Sequence, residues 1–76
     1  MKITLRGLRE LAGISQAELA KRLGVAQSEV SRLERRKDHY ISGLRRYIEA
    51  LGGELAVVIE VGEISYRVDE EEVVHE

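Results

Sequence analysis

The residues of this chain best suited to recognition chemistry crowd into one stretch, Ser15 to Arg36, SQAELAKRLGVAQSEVSRLERR. Gln27, Ser28, Ser31, Arg32 and Arg35 fall at positions that its apolar pattern leaves free. An amide, two small hydroxyls and guanidinium groups are what base edges and phosphate oxygens ask of a protein, so the set points to contact with double-stranded DNA. Gln27 suits a bidentate contact to adenine N6 and N7. Ser28 and Ser31 suit a base, a methyl group or a phosphate equally. Arg32 suits guanine, the DNA backbone, or an ion pair with Glu29 or Glu34 on its own surface. Gln16 stands where the N–H groups and dipole of a helix start favour a phosphate oxygen, against the plainer reading of a surface amide. Arg36, Lys37 and Tyr40 are phosphate candidates within a run, Glu34 to Tyr40, that reads as the loop after this helix. A merely solvated charged loop has the same composition.

Nothing beside these residues is arranged for bond-making. His39 and His75 are far apart, the chain has no Cys, and neither histidine stands at a motif spacing from a nucleophile. Neither an enzyme, nor a metal site, nor a cofactor is expected.

Two short helices and a tight turn must position the polar set. Ser15-Gln16-Ala17-Glu18 has the S-x-x-E form of a capping box and predicts a helix starting at Gln16. Ile14 and Leu19 stand at staple spacing, and Leu19, Ala20 and Leu23 share one apolar face. Gly24 supplies a left-handed stop, and Val25 is expected to drop between the helices. The second helix, from Gln27 to roughly Arg35, then buries Val30 and Leu33. A two-helix hairpin with no DNA partner shares this spacing.

Residue by residue, SQAELAKRLGVAQSEVSRLE resembles the lambda-repressor-like (Xre/Cro type) helix-turn-helix family without a gap. The likeness continues through ERRKD and ISGLRRYIEALGG, a string similar to small repressors and antitoxins of the HigA and HipB type, and covers Leu5 to Gly53. What the resemblance implies is a bundle of four or five helices, with the start of the second motif helix in the major groove. It also implies a homodimer on a near-palindromic operator, with half-sites about 34 Å apart, and gives Gln16 two tasks, touching phosphate and bracing Gln27. Ala26 departs from the family pattern, because Ser or Thr commonly stands there to cap the helix and touch a phosphate.

The 76 residues allow one small domain, and the absence of Cys excludes disulfides. A domain of this size buries only about 60% of its unfolded surface, so oligomerisation is a natural supplement. No run approaches the roughly 20 apolar residues of a membrane span, and no basic-then-apolar segment follows Met1, so a cytoplasmic protein is expected. The net charge of −2 hides a division. Up to Gly53, eleven basic and six acidic residues give +5; from Glu54 on, one basic and eight acidic residues give −7. Such asymmetry suits a basic face on DNA with an acidic end held away from it, although a mixed surface with an acidic tail has the same sum.

In chain order, Leu5, Leu8 and Leu11 predict a first helix that stops at Gly13 and packs on Leu19, Leu23 and Leu33; Arg6 and Arg9 lie off that face, as solvated arginines in preference to the alternative of phosphate contacts. Ser42 is expected to cap a last helix whose stripe is Leu44, Tyr47, Ile48 and Leu51, part of it reaching a dimer partner. From Glu54 the period changes to two. Residues 54–68 read as a β-hairpin about a Gly62-Glu63 turn, pairing Val61 with Ile64, Ile59 with Tyr66 and Val57 with Val68. Its first strand is apolar on both faces, which points to a shared intermolecular sheet at a two-fold axis through Leu55, Val57, Val58, Ile59 and Val61; a hairpin folded on its own bundle is the alternative. The acidic tail, 69–76, is expected to fray or to dock a basic partner.

The expected fold is therefore mainly α, a lambda-repressor-like bundle over 1–53 followed by the hairpin. The expected function is a sequence-specific transcriptional repressor binding a palindromic operator as a homodimer. The alternative is an antitoxin that neutralises a cognate toxin by protein contact and autoregulates its operon.

Overall fold

The computed structural model describes residues 3–69 and 72–74. Four helices come first: α1 (Leu5–Leu11), α2 (Gln16–Leu23), α3 (Gln27–Arg35) and α4 (Ile41–Ala50). Three strands follow: β1 (Val57–Val61), β2 (Ile64–Asp69) and β3 (Glu72–Val74).

Local chemistry sets the helix ends. Thr4 Oγ1 accepts the Gly7 N–H at 2.9 Å and Ser15 Oγ accepts the Glu18 N–H at 3.0 Å, so α1 and α2 both start on a hydroxyl. Gly24 ends α2 with a φ of 72°, which turns the N–H groups of Gly24 and Val25 back onto the carbonyls of Lys21 and Ala20 at 3.2 and 3.0 Å. By contrast, Ala26 begins α3 with no side-chain hydrogen bond. The expected Ser42 cap is corrected: α4 starts at Ile41 with Tyr40 as its N-cap, and Ser42 lies in the first turn. α2 and α4 also cap one another, because Arg22 NH1 donates to Ala50 O at 2.9 Å and Arg46 NH2 donates to Leu23 O at 3.4 Å.

Leu19, Ala20, Val30 and Tyr47 form the buried centre, ringed by Leu5, Ile14, Leu23, Leu33, Ile48, Ala50 and Leu51. Three sequence expectations change here. Leucines spaced by three drift about 60° around a helix at each step, so Leu5 packs inward while Leu11 is 79% exposed. Val25 stays exposed on the rim of a groove that Leu23, Leu33 and Tyr47 also line. Tyr47 is spent on its own core, at 1% exposure, and is not available to a partner.

The sheet has the order β1-β2-β3, antiparallel throughout. The register is the expected one, Val57 opposite Val68, Ile59 opposite Tyr66 and Val61 opposite Ile64, with a φ of 60° at Gly62 in the turn. Part of the tail expected to fray instead forms β3, with Val73 opposite Val68; residues 70, 71, 75 and 76 lie outside the described residues. Arg45 NH1 donates to Leu55 O at 3.0 Å and ties the chain entering β1 to α4. β1 is an edge strand, since among the described residues it pairs with β2 alone. Within one chain its two faces are open rather than covered: Val58 is exposed on one, Ile59 and Val61 on the other.

Because Ala26 has the extended backbone of an N-cap without the side chain for it, Ala26→Ser should stabilise the fold by about 0.5–2 kcal/mol. Thermal melting of the two proteins checks this, and an unchanged midpoint refutes it.

Candidate nucleic-acid interface

Arg9 stands four residues after Leu5, and Glu34 four after Val30, so each charge rides on the apolar side of its helix. The fold of the bundle brings them together. Arg9 Nε lies 2.6 Å from Glu34 Oε2 and Arg9 NH2 lies 3.2 Å from Oε1, while Arg9 NH1 donates to Ile14 O at 2.9 Å. The two side chains are only 9% and 4% exposed. This corrects two expectations: Arg9 is not a solvated arginine, and Glu34 belongs to the last turn of α3 and not to the loop.

Two more donors complete the carboxylate. Gln16 Nε2 donates to Oε1 at 3.0 Å, and the Tyr47 hydroxyl lies 2.7 Å from Oε2 and 3.0 Å from Leu5 O. A phenol has one proton, which goes to the nearer, charged acceptor. Burial by itself would raise the Glu34 carboxyl, but hydrogen bonds from Arg9, Tyr47 and Gln16 outweigh it and hold the group below its usual range. The hydrogen bond to Glu34 raises Arg9 against the opposing effect of burial, and burial followed by the same carboxylate pushes Tyr47 well above an ordinary phenol.

The network reaches the surface at the start of α3. Gln16 Oε1 accepts from Gln27 Nε2 at 3.5 Å, and Gln27 is exposed as the first residue of that helix. With about 100° between successive residues, Val30, Leu33 and Glu34 face inward. Ser28, Arg32 and Arg35 face directly out, and the half-buried Ser31 stands at the flank with Gln27. Arg32 NH1 meets Glu29 Oε1 at 3.1 Å, which selects Glu29 over Glu34 as its partner on this surface; so exposed a pair is worth little and exchanges easily. Arg36 is the C-cap of α3, Lys37 is exposed, and Tyr40 is 82% exposed at the head of α4. His39 Nε2 lies 3.2 Å from Arg36 O across this loop. The structure thus joins Gln16 to Gln27, sets the α3 residues in one outward strip, and leaves Arg36, Lys37 and Tyr40 at the far end of that strip. The hairpin residues stand apart from it, with Leu55 and Val57 half-buried.

Sequence reading missed Arg9, Glu34 and the Tyr47 hydroxyl as members of this site. The available signal was a charge of each sign four residues after a core residue, on two different helices.

A model of the helix-turn-helix family matches residues 5–43, which hold α1, α2, α3 and the start of α4. The chain belongs to that family, as its lambda-repressor-like (Xre) type. Antitoxin HigA1 of Mycobacterium tuberculosis (strain CDC 1551 / Oshkosh) is 45% identical over 58 residues, which make up 75% of this chain and 39% of that protein. The chain therefore spans about two fifths of the curated relative it matches. A solved structure described as "DNA bound antitoxin HigA3" has a TM-score of 0.84 at 33% identity, covering 91% of this chain and 92% of that one. Another, described as "Induced DNA bending by unique dimerization of HigA antitoxin", has a TM-score of 0.76 at 34% identity, covering 88% and 92%. The fold class is that of the HigA structures.

Removing one partner from a buried ion pair strands the other, so Glu34→Ala should cost about 3–5 kcal/mol in urea denaturation. The pH dependence has a definite sign. A carboxyl that titrates at 4.5 in the unfolded chain and lower in the folded one contributes fully above about pH 4.5, and its contribution is lost as pH falls through the folded value. Denaturation midpoints should therefore drop on the acid side of pH 4.5, and Glu34→Gln should flatten that limb.

Proposed function

We propose that this protein is a sequence-specific DNA-binding repressor that acts as a homodimer on a palindromic operator. The observation that carries the reading is the outer strip of α3, where unburied hydroxyls and guanidinium groups follow a glutamine braced from behind by Gln16. Gln27 addresses the edge of an adenine, Ser28 and Ser31 meet a neighbouring base, methyl group or phosphate, and Arg32 leaves Glu29 for guanine or the backbone. Gln16, Arg35, Arg36, Lys37 and Tyr40 hold phosphates. The relatives described as DNA-bound and as bending DNA support this reading, as does the charge of +5 up to Gly53. The role is a binding one, without catalysis, and its place is the cytoplasm.

The dimer forms through β1. Along that strand every second residue turns its N–H and C=O away from β2, toward an unpaired edge, and Val58, Ile59 and Val61 are 55%, 43% and 62% exposed. A second copy adding its own β1, with Leu55 and Val57 extending the contact, satisfies that edge and covers those side chains. The solved relative described by its dimerization supports a paired state. A second reading, an antitoxin that also neutralises a toxin by protein contact, is favoured by the name of the matched relatives. Copurification with a partner protein tests it.

Gln27→Ala should weaken binding to a selected operator by about 1–3 kcal/mol and relax one base position; equal loss on all sequences would make Gln27 a backbone contact. Neutralising Arg36 or Lys37 should lower the salt slope of binding by about one each. In sedimentation the wild type should be a dimer at micromolar concentration and Val58→Lys a monomer with an intact bundle. A monomeric wild type with its hairpin formed rules out the shared sheet.

A further inference from the structure

Resting on the reading of Gln27 as a base-reading residue, we infer that Glu34, which touches no DNA, selects the base that Gln27 prefers by fixing the direction of two amides in series. Glu34 is thus a positioning residue for specificity as well as the centre of the fold. An ionised carboxylate only accepts hydrogen bonds, and a primary amide has one accepting and one donating end. Here the chemistry distinguishes them. Gln16 lies 3.0 Å from Glu34 Oε1, so it must turn its NH₂ inward and its oxygen outward. Gln27 then faces an oxygen and gives it one Nε2–H at 3.5 Å.

What Gln27 has left is one N–H beside one C=O on its open edge. That edge complements adenine, whose N7 accepts and whose N6 donates. Reversing the chain of polarity reverses the outcome. With a neutral amide at position 34, its NH₂ can donate to Gln16 Oε1, so that Gln16 offers its own NH₂ to Gln27. Gln27 must answer with its oxygen, and only N–H donors remain for the groove. Those suit guanine, where N7 and O6 both accept.

The experiment reads a ratio of affinities, which a change in stability alone does not alter. Wild-type protein first selects a duplex from random DNA, and Gln27→Ala identifies the base pair that Gln27 reads. Affinities are then compared for A·T and G·C at that pair. Wild type should favour adenine by about tenfold or more. Gln16→Met, which leaves the contacts among Arg9, Glu34 and Tyr47 in place, should bring the ratio near one. Glu34→Gln should move it toward guanine. If the stranded Arg9 charge unfolds that variant, Arg9→Met combined with Glu34→Gln removes the charge and serves instead.

A second readout needs no DNA. Gln16 and Gln27 carry the only side-chain amides in the chain, which has no Asn, so their NH₂ pairs can be followed by NMR without overlap. The Gln27 pair should shift in both Gln16→Met and the folded position-34 variant. Adenine preference retained in both variants, or Gln27 signals unmoved in both, overturns the inference and leaves the DNA-binding reading standing. A wild type that selects no sequence overturns that reading and this inference with it.

Discussion

A single buried carboxylate holds one donor from each of the other three helices. Arg9 comes from α1, Gln16 from α2 and Tyr47 from α4, and all converge on Glu34 of α3 within 3.2 Å. Moving a carboxylate out of water is expensive, and only a full set of well-aligned donors offsets it. Against that demand stands a very small apolar core of Leu19, Ala20, Val30 and Tyr47. Apolar contacts tolerate slippage between neighbouring helices, because they are non-directional. Hydrogen bonds do not, so the network sets the rotation of α3 about its axis and therefore which residues that helix turns outward.

The same contact explains why the two ends of α3 differ. Its start lacks a capping side chain at Ala26 but is held from within, through Gln16. Its end runs into an exposed loop where Arg36 serves as C-cap and the His39 ring approaches the Arg36 carbonyl. On the flank of the outer face Gln27 is thus tied to the buried network through Gln16, whereas Lys37 and Tyr40 at the far end are exposed. An oriented amide followed by exposed cations is an arrangement that suits a base contact beside phosphate contacts.

Beyond Gly53 the physics changes. The sheet meets the bundle through few groups, among them Arg45 at the Leu55 carbonyl, and it leaves large aliphatic side chains on both faces of β1 in water. An edge strand paired on one side only among the described residues, with apolar side chains exposed on both faces, is incomplete by itself. In the bundle Arg9, Gln16, Glu34 and Tyr47 satisfy one another, whereas β1 keeps one edge open among the described residues.

Much of this was legible in the sequence because it is local. Ser15, Gly24 and the Gly62-Glu63 turn act within a few residues of themselves, so the bounds of α2, the turn to α3 and the register of the hairpin followed from spacing alone. So did the outward row on α3, since 3.6-residue periodicity places Ser28, Arg32 and Arg35 opposite Val30 and Leu33. Arg9 and Glu34 were misread because charge usually means solvent, and a separation of 25 positions in the chain gives no local sign that each completes the other. Leu11 was misread in the reverse direction, since its exposure depends on how far α1 has rotated by its last turn. Residue types and short-range spacing determined the elements and the chemistry they can offer. Only the packing of four helices decided which charges are buried, because desolvation and hydrogen-bond direction are properties of groups brought together and not of a position in the chain.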